Sequence, residues 1–321
     1  MKDILFHRFP GEKSCRYTGE FTLLDTLEEV KGFIVSSFDK KQKYLFKESG
    51  DFEKGNIVFY SSKEKPFLVS KTQYLEQAET YIDLIKTSDV DKAILSRVKQ
   101  VALIDKDFEK VFDNLCQTYP NAFIYLISSS DFGTWIGASP EVLLKVDNGK
   151  AVTMSLAGTK NEKDKEWTSK ELEEQEYVTE YINNTISSFQ VQNLNLKGPY
   201  THSAGPVFHL RTDFEFTINQ SEMIKLVDSL HPTPAIAGLP IEEAIRMISK
   251  IEKHSRGLYS GFIGRVGEGK SDLFVNLRCC EIIDHQAFLY LGGGLTKDSI
   301  PENEWLETEN KSLTLMNILS N

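Results

Sequence analysis

Glutamates three residues apart recur twice in this sequence: Glu171 and Glu174 in KELEEQEYV (170–178), and Glu304 and Glu307 in ENEWLETENK (302–311). Residues at i and i+3 share a helix face, so each stretch, if helical, aims two carboxylates one way. Should the two faces converge, hard oxygen donors gather at one point. That suits Mg2+, which takes one or two protein carboxylates, waters and an anionic ligand. A solvated helix face has the same spacing, so the pattern alone leaves both readings open. Three further features could serve an anion. Gly292-Gly293-Gly294 stands shortly before the second glutamate pair; glycines ahead of a helix let backbone N–H groups approach an anion, and a hairpin-to-helix turn fits them equally. Arg278 lies in DLFVNLRCCEII (272–283), read as one apolar strand in which it shares a face with Asn276 and Cys280. Its fork suits a carboxylate or a structural ion pair. Lys92 opens the apolar run KAILSR. A lysine at a strand end is ordinarily a solvent anchor, whereas one drawn into a cationic pocket could act as a base.

These groups need a scaffold, and the patterning supplies one. Short runs rich in β-branched and aromatic residues recur at 32–38, 56–62, 93–103, 122–129, 134–146, 150–158, 257–266, 272–283 and 286–295, bounded by Gly, Asn and Asp. They predict antiparallel strands. Helical patterns lie between them at 71–88, 107–119, 166–190 and 241–253, with a last helix from about Pro301 onward. Strands and helices interleave without a composition break, which predicts one α+β domain over 1–321, with 1–65 its least informative part. At 321 residues and 40% hydrophobic, the chain can bury a large core without metal or disulfide staples. A net charge of −10 argues against nucleic acid or an anionic membrane as partner. It also means that any anion site must be built from local cations. Cys15, Cys116, Cys279 and Cys280 show no zinc spacing, and a reducing, cytoplasmic setting is expected. No uncharged apolar run approaches the ~18 residues of a membrane helix, and none of signal length opens the chain.

Several segments, taken in order, resemble the chorismate-binding enzyme family. They are KAILSRV (92–98), IGASPEVLLKV (136–146), SLAGTK (155–160), KELEEQEYV (170–178), VFHLRTDFEF (207–216), LHPTPAIAGLP (230–240), HSRGLYSGFIGRV (254–266), NLRCCEI (276–282) and GGGLTKDSIPENEWLETENK (292–311). The resemblance covers residues 66–320, and the first 65 match poorly. It implies an α+β fold of two large, mainly antiparallel β-sheets in a sandwich flanked by helices, with the site in a cleft between layers. It also implies that Glu174 and Glu307 bind Mg2+, and that Glu171 and Glu304 hold the metal's waters. Tyr259 and Arg278 match contacts to the enolpyruvyl carboxylate of chorismate, Lys311 with the backbone of Gly292 and Gly293 matches further carboxylate contacts, and Thr159 and His209 line the same cleft. Gln175 stands where the commoner form has histidine.

Lys92 and Ala157 discriminate among members of the family. Lys92 matches the water-activating base, and Glu141, in ASPEVLL, the acid that protonates the departing 4-hydroxyl. Ala157 replaces the nucleophilic lysine of aminodeoxychorismate synthases. Anthranilate synthases carry glutamine in place of Lys92 and need a glutamine amidotransferase, of which no segment is present. The resemblance therefore implies an isochorismate synthase, with salicylate synthase as the alternative. Such an enzyme would be a self-sufficient monomer with chorismate as its small-molecule partner, feeding menaquinone or siderophore synthesis.

Overall fold

The computed structural model describes residues 2–52, 59–62, 64–103, 107–160, 162–204 and 207–319. The elements run β1 (Asp3–Arg8), β2 (Cys15–Leu23), β3 (Gly32–Ser36), β4 (Lys43–Asp51), α1 (Lys71–Lys86), β5 (Lys92–Ala102), α2 (Phe108–Thr118), β6 (Phe123–Ser129), β7 (Gly133–Ser139), β8 (Val142–Asp147) and β9 (Lys150–Lys160). They continue with α3 (Ser169–Ser187), β10 (Gln192–Ala204), β11 (Val207–Thr217), α4 (Gln220–Leu230), β12 (Gly238–Leu239), α5 (Ile241–Ile251), β13 (Phe262–Val266), β14 (Lys270–Val275), β15 (Cys279–Ile283), β16 (Gln286–Leu295) and α6 (Pro301–Leu319).

The antiparallel α+β class is the one observed. The strands expected as two sheets are linked into one hydrogen-bonded order, β10-β11-β9-β8-β14-β13-β3-β4-β2-β1-β6-β7-β15-β16-β5-β12. In that order β6 stands six places from β14, roughly 28 Å away if the sheet were flat. Yet Phe123 of β6 stacks on Phe274 of β14 with ring centroids 4.8 Å apart. The sheet therefore folds over on itself, and its two halves face each other across a core that includes Phe9, Phe33, Tyr125, Trp135, Tyr259 and Ile263. Strands β1 to β4, from the stretch where sequence patterning was least informative, join the halves in the middle of the order.

Helices cover the outer faces. Val178, Ile182 and Ile186 of α3, with Met223, Leu226 and Leu230 of α4, pack on β8, β9, β11, β13 and β14. On the other half, α2 and the end of α6 cover β1, β6, β7, β15 and β16. Central strands are thus covered on both faces, and every residue of β6 and of β7 is buried. That is why these segments read as unbroken apolar runs rather than as alternation.

Three local expectations are corrected. The run 134–146 is two strands, because Pro140 has no N–H for a ladder. The run 272–283 is also two strands, broken at Asn276–Arg278, and Arg278 takes a left-handed φ of 49°. It therefore sits at a kink and not in strand alternation. The helix α4 was not anticipated, although its buried residues 223, 226, 227 and 230 carry helical periodicity. Of the strand expected at 56–62, residues 56–58 lie outside the described residues, and 59–62 are not in a strand.

Candidate active site

One cleft, with about 580 Å³ of empty space, is lined from both halves of the folded sheet. Strand β9 brings Leu156 to Thr159 and β11 brings His209; β5 brings Lys92 and Ile94, and β16 brings all three glycines. The β7–β8 break presents Glu141, the β14–β15 kink presents Arg278, and helices α3 and α6 present Glu174, Glu307 and Lys311. Of the thirteen site residues expected from sequence, eleven line this cleft; Glu171 and Glu304 do not.

Lys92 is 1% exposed, and its Nζ lies 2.8 Å from Glu174 Oε1. It is a buried amino group beside one carboxylate, not a solvent anchor. Glu141 is buried, and burial pushes its carboxyl up to about 7, against the pull of Arg278, Lys92 and Lys311. It is a carboxylic acid poised near neutrality.

A corner rich in hydrogen-bond donors lines the same cleft. His209 Nδ1 lies 2.6 Å from the Gly158 carbonyl. A carbonyl can only accept, so Nδ1 carries the proton and Nε2 is left as acceptor for Arg278 Nη2 at 3.4 Å. Burial, with Arg278 and Lys311 nearby, lowers His209 to about 3, so the ring is neutral. Thr159 Oγ1 lies 3.3 Å from the same Nδ1. Arg278 Nε is buried without a partner, a donor free for a ligand. Burial raises Tyr259 to about 12, so its hydroxyl keeps its proton and can donate.

The glycines are not a turn before α6. They lie within β16, where Gly292, Gly293 and Gly294 pair with Ser96, Leu95 and Ile94 of β5. Their role is clearance. A Cβ on Gly292 would come within 2.6 Å of the Tyr259 hydroxyl, and one on Gly294 within 2.6 Å of Lys92 Cε and 3.0 Å of Glu174 Oε1. The carbonyl of Gly292 accepts from Lys311 Nζ at 3.0 Å.

Glu307 in the cleft and Glu304 one turn before it each have a lysine partner. Lys311 Nζ lies 2.5 Å from Glu307 Oε1 and Lys170 Nζ 2.7 Å from Glu304 Oε1. Glu307 is held below the ordinary carboxylate range despite burial, chiefly by Lys311. Glu304 is raised by burial and by the neighbouring Glu307 charge. Sequence reasoning did not single out Lys170, although it adjoins Glu171 within the quoted segment. Glu171 has another use: its carboxylate accepts from the Thr168 N–H at 2.8 Å and from the Thr168 hydroxyl, completing the capping box that starts α3. Gln175 is buried and donates to Ser155 Oγ at 2.8 Å, tying α3 to β9. Ala235 and Ile236 also line the cleft, within a segment read from sequence only as Gly/Pro punctuation.

The residues suit a divalent cation. Glu174 and Glu307 reach the cleft, Glu304 Oε2 is buried without a partner, and Gly293 leaves open the space beside Glu304 and Glu307. Among the described residues no three His, Cys, Asp or Glu side chains form a ready cage. Two carboxylates completed by water and an anionic substrate make a set that Mg2+ accepts.

Residues 18–320 match the family described as chorismate binding enzyme. The isochorismate synthase EntC of Escherichia coli (strain K12) is 28% identical over 271 residues, covering 79% of this chain and 69% of that protein. The isochorismate synthase MenF of Bacillus subtilis (strain 168) is 29% identical over 283 residues, covering 84% of this chain and 59% of that protein. Among solved structures, the putative 2,3-dihydroxybenzoate-specific isochorismate synthase DhbC of Bacillus anthracis superposes with a TM-score of 0.82 at 25% identity, covering 98% of this chain and 95% of that one.

Proposed function

This chain belongs to the chorismate binding enzyme family, and from that premise we propose that it is an isochorismate synthase, adding water at C2 of chorismate with loss of the 4-hydroxyl. The observation that carries the proposal is the pairing, in one cleft, of buried Lys92 with Glu141 poised near 7. The reaction needs one group to take a proton from the attacking water and another to give one to the departing oxygen. Lys92 in its amine form takes the first. Glu141, protonated below about 7, gives the second, so no net proton is consumed.

Arg278, Tyr259 and Lys311 supply donors for the enolpyruvyl carboxylate, and neutral His209 holds Arg278 in place. Glu174 and Glu307 would hold Mg2+, whose charge would neutralise the other carboxylate of the substrate. Local cations and a bound metal together offset the field of a chain carrying −10. Ala157 lines the cleft where a nucleophilic lysine would be needed for amination chemistry.

Product analysis tests the proposal. Purified protein with chorismate and Mg2+ is expected to yield isochorismate by chromatography, with no stoichiometric pyruvate. Lys92→Ala should lower kcat by roughly 10²- to 10⁴-fold, the range of a positioned proton-transfer group. Pyruvate released in step with chorismate consumption would instead identify a salicylate-forming lyase. Binding of chorismate without any product would sink both readings.

A further inference from the structure

The strand that carries Lys92 is secured on its two edges by different means. One edge of β5 is a full ladder with β16, in register from Ala93 to Ala102. The other edge meets only the two-residue β12, at Lys92 and Ala93, and the Ala237 carbonyl, which accepts from Ile94 N at 3.0 Å. Beyond that point a charged pair takes the place of a strand. Arg256 Nη2 donates to the Ile94 carbonyl at 2.9 Å, and Ser96 N donates to Glu252 Oε1 at 2.7 Å. The pair is bidentate, with Arg256 Nε and Nη2 at 2.9 and 2.6 Å from the Glu252 oxygens. Arg256 Nη1 also donates to the Ile236 carbonyl at 2.7 Å. Both side chains are almost wholly buried, and the guanidinium lies 4.5 Å from the Phe38 ring centroid.

Ile94 and Ile236, whose carbonyls Arg256 holds, both line the cleft, but Arg256 and Glu252 do not. We propose that Glu252 and Arg256 are positioning residues for the base, a clamp that stands in for a missing neighbour of β5 and fixes Lys92 and the 235–236 wall against the substrate. The proposal rests on the function proposed above. Chorismate's carboxylate contacts come from Arg278 and Lys311 on other elements, so loosening the clamp should misplace the base more than it weakens binding. Ion pairs in interiors are poor sources of net stability, whereas their geometry is directional. A site that needed only packing here would be served by apolar side chains.

The test is the double variant E252L/R256M, which removes both charges together, leaving no unpaired charge in the core, and takes away the clamp's hydrogen bonds to Ser96, Ile94 and Ile236. Folded protein is expected to show kcat reduced roughly 10- to 100-fold with KM for chorismate nearly unchanged, and faster amide hydrogen exchange at Ile94 to Arg97. Wild-type kcat and wild-type exchange in the folded double variant would overturn the proposal, as would a raised KM with kcat intact. Should the double variant not fold, E252Q and R256K decide in the same way: a selective fall in kcat supports the clamp, and unchanged kcat removes it. A wild-type chain inert toward chorismate would sink the functional reading, while the exchange measurement would still judge the clamp.

Discussion

At the scale of single residues, the charge state of Glu141 has two consequences. Its carboxyl is raised from 4.5 to about 7 by burial, so the protonated form needed for donating to a leaving oxygen persists close to neutrality. kcat/KM for chorismate should therefore fall as pH rises through about 7. Glu141→Gln, which cannot give up a carboxyl proton, should abolish turnover across the whole pH range. The second consequence concerns stability. The folded chain holds this proton more tightly than the unfolded one, so the stabilisation is complete below 4.5 and lost as pH rises to about 7. The melting temperature of Glu141→Gln relative to the parent should thus climb over that interval. A difference that stayed flat with pH would contradict the assignment. Such charge states depend on neighbours, so the residue types were legible in the sequence but their poise was not. Lys92 shows this most plainly: the strand-end rule pointed to solvent, and the folded chain buries it against Glu174.

At the scale of elements, β16, α3 and α6 build the site together. β16 is a strand whose glycines make room, so Gly294→Ala should push apart Lys92 and Glu174, whose atoms stand 2.6 and 3.0 Å from the added carbon. A loss of kcat of roughly 100-fold is expected, the scale of a misplaced reacting group, with little change in melting temperature; unaffected kcat would remove the clearance argument. The helices α3 and α6 bring carboxylates from the middle and the far end of the sequence. EDTA should eliminate turnover, Mg2+ should restore it, and Glu307→Gln should raise the Mg2+ concentration needed far more than it lowers the melting temperature. Turnover that persisted in EDTA would refute the metal assignment. The helix α6 was foreseen, yet its buried face is unusual, since it includes Glu304, Thr308 and Ser312 before Leu315 and Leu319. Arg97 of β5 explains part of this, donating to Thr308 Oγ1 at 2.8 Å and lying 3.8 Å from the Trp305 ring centroid. Hydrophobic periodicity cannot disclose a face that is buried and polar.

For the whole molecule, the decisive event is the folding-over of one sixteen-stranded sheet. Phe123 and Phe274 meet across it, so Phe123→Ala should cost about 3–5 kcal/mol, read as a lower urea midpoint with an unchanged slope. A loss well under that would mean the halves hold together without this contact. Because the halves contribute separate walls to the cleft, activity should decline in parallel with this transition. From sequence alone came the inventory: glutamates at helical spacing, cations and glycines in a fixed order, and the antiparallel α+β class, because side-chain types and local periods are properties of neighbouring residues. Tertiary structure decided which strand lies beside which, that Arg278 sits at a kink, that Glu171 caps its own helix, and that Lys170 and Lys311 partner the acids of α6. The strand order and the Lys170–Glu304 pair join residues far apart in the chain, which no local pattern encodes. The Glu171 cap and the Glu307–Lys311 pair are local spacings, and there the fold decided only which of several nearby partners each acid takes, through how the sheet closes and the need to pair each charge that closure buries.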